Sequence, residues 1–352
     1  MSVHKRSHKV EKLARIYDDE IAPVWATRFG KMLLRGLSIP ERGQVLDISC
    51  GTGYPTVEIL RRMSEGSRLI AIDASSAMLD VARKKVADLG PLGKKGIFFR
   101  TESPIPKLSF ANDVYDVVVC NLGIPDMPNM QDALGDFARV TKPGGEVRCT
   151  LPLAGTFQEF HDIYREVLTK HDRADALARL ERHVAGYPTV DQLEEWTRRA
   201  GLAGEFEVEE FTLLFRSSRE FFFAPVIEFG PLGDWKHIAG SGQEMQDVFW
   251  YIKEAIDAYF DGRAFEVTVK AGCLIGKKVS AQLSGQAAAQ RAELPNPPTP
   301  PPHVADGSVK LGALDELEIE EDFADDEVVA GRASVDAPLD AFVDGKPRPE
   351  HL

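Results

Sequence analysis

Apolar residues keep a helical spacing at the start of the chain. Val10, Leu13, Ala14 and Tyr17 fall at i, i+3, i+4 and i+7. Pro23 suits the first turn of a second helix, which is expected to bury Val24, Trp25, Phe29, Met32 and Leu33 and to stop at Gly36 and Pro40. Residues 8–37 therefore read as two helices. From 44 to 153 the period changes. Short apolar runs at Gln44–Ile48, Arg68–Ile72, Gly96–Phe99, Val114–Cys120 and Glu146–Leu151 alternate with helix-like stretches at about Thr56–Met63, Ala77–Ala87 and Met130–Val140. This alternation predicts an α/β fold: a parallel sheet wrapped by helices through right-handed crossovers. A ligand is then expected outside the carboxyl ends of the strands.

Residues 156–200 return to a helical period. Thr189 and Gln192 form a capping box for the last of these helices, and Gly201 suits its stop. A strand is expected at Glu205–Phe215. Ser241 and Glu244 open an amphipathic helix with Met245, Val248, Phe249, Ile252, Ile256 and Tyr259 on one face. Beyond the Asp261-Gly262 turn, Phe265, Val267, Val269 and Ala271 alternate with polar residues, as in an antiparallel last strand with one drier face. After Ser280 the pattern ends. Pro295-Asn-Pro-Pro-Thr-Pro-Pro-Pro302 reads as a stiff linker, and the acidic, aromatic-poor stretch that follows as disordered. The division expected is a folded domain at 1–280 and a tail at 281–352.

The chemistry concentrates in Val45-Leu-Asp-Ile-Ser-Cys-Gly-Thr-Gly53, where a buried strand runs into a glycine turn that opens a helix. Gly51 and Gly53 let the backbone approach a ligand, and the helix start offers free N–H groups. Asp73 ends the next strand 20 residues after Gly53, where a ribose-binding carboxylate belongs in a nucleotide-binding βαβ unit. A dinucleotide is disfavoured on two counts. Thr56 stands where a GxGxxG pattern needs its third glycine, and Asp47 at the mouth of the turn would repel a pyrophosphate. A carboxylate there suits a ligand carrying an ammonium and a sulfonium.

Residues 10–153 resemble a class I S-adenosylmethionine (SAM) dependent methyltransferase of the methyltransferase-11 kind, similar to the ubiquinone/menaquinone-biosynthesis enzymes. VLDISCGTG resembles the first motif of that family, which usually has Gly where Ser49 stands, a small change. Ile72-Asp-Ala-Ser-Ser-Ala-Met-Leu79 resembles the second motif. Leu108-Ser-Phe-Ala-Asn-Asp-Val-Tyr-Asp116 resembles the approach to the fourth strand, and Arg139-Val-Thr-Lys-Pro-Gly-Gly145 the turn before the fifth. The resemblance implies a Rossmann-like class I methyltransferase sheet flanked by helices, with SAM as cofactor. It assigns Asp47 and the backbone from Ser49 through Gly51 to Gly53 to the methionine part of SAM. Asp73 falls to the ribose and Met78 to the adenine, with Glu102 the nearest acidic residue for the adenine amine. Asn121 and Leu122 fall to the reactive side, and Tyr17 and Trp25 to a cover over the cofactor.

The acceptor is less legible. Asn121-Leu-Gly-Ile-Pro-Asp126 is not the (N/D)PP(Y/F) of amino-methylating nucleic-acid enzymes. Helical cap insertions are expected at 156–188 and 217–260. They hold Phe157, Phe160, His161, Tyr164, Phe221, Phe222, Phe223 and Trp235, an apolar set that suits a small, fairly apolar molecule. Methyl transfer from a sulfonium needs alignment above all, and a base only where the acceptor loses a proton. His161 and Asp126 are the candidates, each also readable as a plain core or turn residue.

Composition narrows the class. The chain of 352 residues is 43% hydrophobic and 28% charged, as in soluble globular proteins. Its net charge is −13, but 15 Asp and Glu against 5 Lys and Arg lie in 281–352, which leaves the first 280 residues at about −3. Nucleic acid is therefore not expected as a partner. No signal peptide or membrane span is read in the sequence. The four cysteines show neither CxxC pairing nor metal-ligand spacing, so no metal and a reducing, cytoplasmic setting are expected. A protein partner docking on 306–323 is a further expectation. Val309-Lys-Leu-Gly-Ala-Leu314 and Leu317-Glu-Ile-Glu-Glu-Asp-Phe323 space apolar residues along the acidic run, and 306–314 resembles encapsulin cargo-loading peptides. Two other functions fit parts of the pattern: a SAM-binding sensor or scaffold without turnover, and an NAD-dependent oxidoreductase.

Overall fold

The structure, a computed structural model, describes residues 3–279 except Lys95, together with 342–343 and 346–347. Two compact units divide the chain, Met1–Gly312 and Ala313–Leu352. In the second, strand β8 (Phe342–Val343) pairs antiparallel with β9 (Lys346–Pro347). The expected disorder of the tail and the docking segment 306–323 lie outside the described residues.

The first unit is built on a seven-stranded sheet of order β3-β2-β1-β4-β5-β7-β6. Its strands are β1 (Gln44–Ile48), β2 (Arg68–Asp73), β3 (Gly96–Thr101), β4 (Tyr115–Asn121), β5 (Thr141–Pro152), β6 (Leu202–Phe215) and β7 (Phe265–Lys278). Neighbours from β3 to β5 are parallel, and β7 runs antiparallel to both β5 and β6. The chain order reverses between β1 and β4, which opens a crevice at their carboxyl ends.

Period-two burial produces the layers. Val45 of β1 and Val117 and Val119 of β4 face one core with Phe29, Met32, Ile59 and Leu60. Leu46, Ile48, Val118 and Cys120 face the other, against Leu134, Phe137 and Leu193. The first core lies under α2 (Ala26–Leu34) and α3 (Thr56–Arg62), the second under α5 (Met130–Val140) and α8 (Val190–Arg199). β7 repeats the device, with Phe265, Val267, Val269 and Ala271 all buried. The helix α4 (Ser76–Asp88) begins on a Ser75 cap whose hydroxyl accepts from the Met78 N–H. The four cysteines are buried and unpaired.

Three local expectations are corrected. The second helix starts at Ala26: α1 (Val3–Ile16) continues into a π-helical turn at Tyr17–Ile21, and residues 22–25, with Pro23, form a turn before it. Val24 is consequently exposed. The Lys142–Gly145 segment, read as a turn, is a bulge within β5, since Tyr115 pairs with Thr141 and Val117 already with Glu146. On α12 (Gly242–Phe260), which Ser241 opens as expected, Tyr259 is exposed and donates to Glu166.

The cap helices α6 (Gln158–Lys170), α7 (Ala174–Val184), α9 (Ser218–Phe223), α10 (Pro225–Glu228), α11 (Leu232–Ala239) and α12 share a core of rings. Phe160 and Trp235 lie 4.0 Å apart, and Phe221 and Phe265 5.1 Å apart. The Tyr164 hydroxyl donates to the Trp235 carbonyl at 2.8 Å. Of the cap aromatics singled out in the sequence, Phe223 is exposed. Among the described residues no helix is long and apolar enough to cross a membrane.

Candidate active site

The chain leaves β1 through three left-handed residues in five: Ser49 (φ 55°), Gly51 (φ 54°) and Gly53 (φ 92°). Two clamps hold this turn. Thr56, at the start of α3, donates its hydroxyl to Asp47 Oδ2 at 2.6 Å. Asp73 accepts the Gly51 N–H and the Ser75 N–H, both at 2.8 Å. At Gly53 a Cβ would stand 3.0 Å from the Ala82 Cβ, so α4 packs directly on the turn. At Gly51 it would stand 3.7 Å from Tyr17 Cε1, which places the tyrosine ring over the turn.

Asp47 is fully buried, and its Oδ1 has no hydrogen-bond partner among the described residues. Burial pushes its carboxyl up to about 7; the Thr56 hydrogen bond opposes the shift and the Asp73 charge adds to it. Burial also raises Asp73, against its two backbone hydrogen bonds. Asp126 is exposed, yet partial desolvation and the charges of Asp73 and Asp234 bring it up to about 6. The Tyr17 hydroxyl is pushed well up by burial and by Asp73, Asp126 and Asp18. The charged neighbours acting on Asp47, Asp126 and Tyr17 are all carboxylates. The cleft is thus desolvated and electronegative, hostile to phosphate and favourable to a cation.

β4 delivers a second strained turn. Leu122 is left-handed (φ 65°) and donates its N–H to the Thr150 carbonyl. Asn121 is a tether: its Nδ2 donates to the Ala26 carbonyl at 3.1 Å and its Oδ1 accepts from Thr150 at 2.7 Å. Backbone and the Leu122 side chain are then what this strand end can offer a ligand. A Cβ at Gly123 would lie 2.4 Å from the Ser49 Cβ, so the two turns touch. Ser49 is therefore not a neutral replacement for glycine. Ser49→Gly is expected to raise stability by up to about 1 kcal/mol, the left-handed penalty less the entropy of glycine. Gly123→Ala is expected to destabilise by about 1–3 kcal/mol, and by less in a Ser49→Gly background. Urea melts of the four proteins measure the coupling; simple additivity would refute the contact.

The other sequence candidates are distributed as follows. Met78 is buried in the first turn of α4. The Glu102 backbone N–H donates to the Asp73 carbonyl, which sets it beside β2, and its carboxylate takes Arg100 and the Ser109 N–H. Trp25 stacks on Phe157 at 5.9 Å and contacts Phe29 and Phe211, at the junction of α2, the start of α6 and β6. His161 is fully buried in the cap, and burial brings it down to about 3. Asp234, His183 and Tyr187 belong to the same neighbourhood and were not marked by the sequence; no spacing rule relates them to the glycine turn. Among the described residues no group of three or more His, Cys, Asp or Glu could hold a metal ion.

Comparison with known proteins agrees with this geometry. Residues 45–145 match the family model described as a methyltransferase domain. A demethylmenaquinone methyltransferase of Halalkalibacterium halodurans is 26% identical over 211 residues, which cover 56% of this chain and 84% of that protein. A ubiquinone/menaquinone biosynthesis C-methyltransferase of Idiomarina loihiensis is 28% identical over 167 residues, covering 45% and 65%. Among solved structures, the YcgJ protein of Bacillus subtilis aligns with a TM-score of 0.47 at 15% identity, covering 72% of this chain and 98% of that one. The strand order and the glycine turn form a Rossmann-like α/β sheet, and residues 45–145 within it match a methyltransferase domain. The sequence relatives it matches are named as methyltransferases.

Proposed function

We propose that the cleft binds SAM and delivers its methyl group directly to a small, largely apolar acceptor. The observation that carries this reading is Asp47 Oδ1, a buried carboxylate oxygen without a hydrogen-bond partner among the described residues, beneath a turn of left-handed backbone. An isolated buried carboxylate is costly until a cation meets it. SAM carries two positive groups and no phosphate. Asp47 and the backbone of 49–53 would hold its methionyl end and Asp73 its ribose. Met78 would pack on the adenine, Glu102 would flank it, and Tyr17 would cover the turn. When bound, SAM supplies a methyl group on a positively charged sulfur. The chain's own part is to fix the cofactor, align the acceptor against it and exclude water with the cap. Leu122, Trp25 and Asp126 border that side. The acceptor reading rests on the cap's rings, and the relatives named for demethylmenaquinone methylation suit it. Four unpaired cysteines suit a cytoplasmic setting.

SAM and S-adenosylhomocysteine are expected to bind at about 10 μM or tighter. Incubation with SAM labelled in the methyl group and a cell extract, read by mass spectrometry, is expected to label a small molecule. Tight binding with no labelled product would favour a sensor or scaffold.

A further inference from the structure

α6, α7 and α11 converge on polar rings that carry unsatisfied nitrogens among the described residues. The His161 ring lies 6.0 Å from His183, 6.0 Å from Trp235 and 6.1 Å from Tyr187, and His183 lies 5.8 Å from Tyr187. His161 and Trp235 are fully buried. Both nitrogens of His161, Nε2 of His183 and Nε1 of Trp235 are sealed from solvent with no hydrogen-bond partner among the described residues. Native folds leave few such atoms. Four on three adjoining rings point to a group that arrives from outside.

A charge beside the rings also reaches the residues around the glycine turn. Asp234, beside Trp235 on α11, acts through its charge on His183, Tyr187 and Asp126. Asp126 acts in turn on Tyr17 over the glycine turn. Phe157 borders both sides. Its ring lies 6.4 Å from His161 and 5.5 Å from Trp235, and it stacks on Trp25. It is itself held in a left-handed conformation (φ 59°) at the start of α6, the kind of strain that gathers at ligand clamps.

The donor set defines the ligand. His161 is neutral near neutral pH and offers one N–H and one lone pair; the Trp235 indole only donates. An ammonium would find the indole facing it with the wrong polarity. An anion would find the neighbouring guanidiniums engaged: Arg165 binds Glu181 and Asp162, and Arg179 donates to the Ile238 carbonyl. An uncharged oxygen that both donates and accepts satisfies the set, and the rings of Phe157, Tyr187 and Trp235 around His161 suit a flat aromatic neighbour.

We propose that this recess anchors the methyl acceptor: an uncharged, flat molecule places a hydroxyl or carbonyl oxygen among His161, His183 and Trp235. The proposal rests on the methyltransferase reading for its role, but the recess can be tested separately. The probes are phenol, toluene and benzoate, titrated into the full chain saturated with S-adenosylhomocysteine, with histidine and tryptophan nitrogens followed by NMR. Phenol is expected to shift the His161 and Trp235 ring nitrogens saturably, and toluene and benzoate to bind about tenfold more weakly. H161F should weaken phenol by about tenfold, and H161Q should recover most of that loss, with S-adenosylhomocysteine affinity unchanged in both. Equal binding of phenol and toluene, unmoved His161 and Trp235 signals, or wild-type phenol affinity in H161F would overturn the proposal. If H161F fails to fold, the wild-type comparison of phenol with toluene decides. Failure of S-adenosylhomocysteine to bind the wild-type chain would sink the cofactor assignment instead, and the same phenol and toluene titrations would still judge the recess.

Discussion

Asp47→Ala is expected to weaken SAM and S-adenosylhomocysteine alike, by about 30-fold or more. Truncating one member of a buried, hydrogen-bonded charge pair costs about 2–5 kcal/mol, and both ligands carry the ammonium assigned to Asp47. Methylthioadenosine, which lacks the amino-acid end, should bind the variant as it binds the wild type. The pH dependence follows from the same residue. In the free protein the Asp47 carboxyl titrates at about 7, raised by burial. A cation prefers its deprotonated form, so SAM affinity should fall as pH drops below about 7, by up to about tenfold per unit. Asp47→Asn should flatten that profile. The stability of the free chain runs the other way: a carboxyl raised above its unfolded value of 3.8 favours the fold less as pH climbs from about 4 to 7. Calorimetric titration across pH reads the first effect and thermal melts the second. A pH-independent SAM affinity would remove Asp47 from the site.

Phe160→Ala is expected to cost about 3–5 kcal/mol, the range for deleting a large ring from a packed core. Phe160 is fully buried and contacts Trp235, Phe221, Tyr164 and Phe222. The cap core is continuous with the sheet through Phe221 and Phe265 of β7, so a single cooperative transition should shift to lower urea. A biphasic melt, with the cap lost before the sheet, would show that the cap is an independent layer. Tyr259→Phe, by contrast, lies at an exposed surface pair with Glu166 and should leave stability nearly unchanged.

Much of this fold was legible because its elements announce themselves locally. Each strand from β1 to β5 carries a short, mostly apolar run, and helical spacing marks the crossovers after β1, β2 and β4, while the one from β3 to β4 has no helix. The capping box at Thr189 and Gln192 appears as the sequence implies. The glycine turn, Asp47 and Asp73 were legible too, because one βαβ unit carries them within 29 residues. What escaped depends on distant packing. The left-handed strain at Ser49 comes from the path of the turn against Gly123. The hold of α2 and β5 on the Asn121 amide likewise comes from segments far apart in the chain. Asp234, His183 and Tyr187 come from three separate segments, and only tertiary packing brings them beside His161. Val24 and Tyr259 fit a helical stripe in sequence yet are exposed: Val24 lies in the turn before α2, and Tyr259 donates to Glu166 near the end of α12.

The most direct test of the central claim is an experimental structure of the full chain with S-adenosylhomocysteine. The account predicts the amino-acid nitrogen on the Asp47 side of the glycine turn, the ribose hydroxyls on Asp73 and the sulfur facing Leu122 and Asp126. A ligand with its adenine over the glycine turn, or its amino-acid end remote from Asp47, would contradict it.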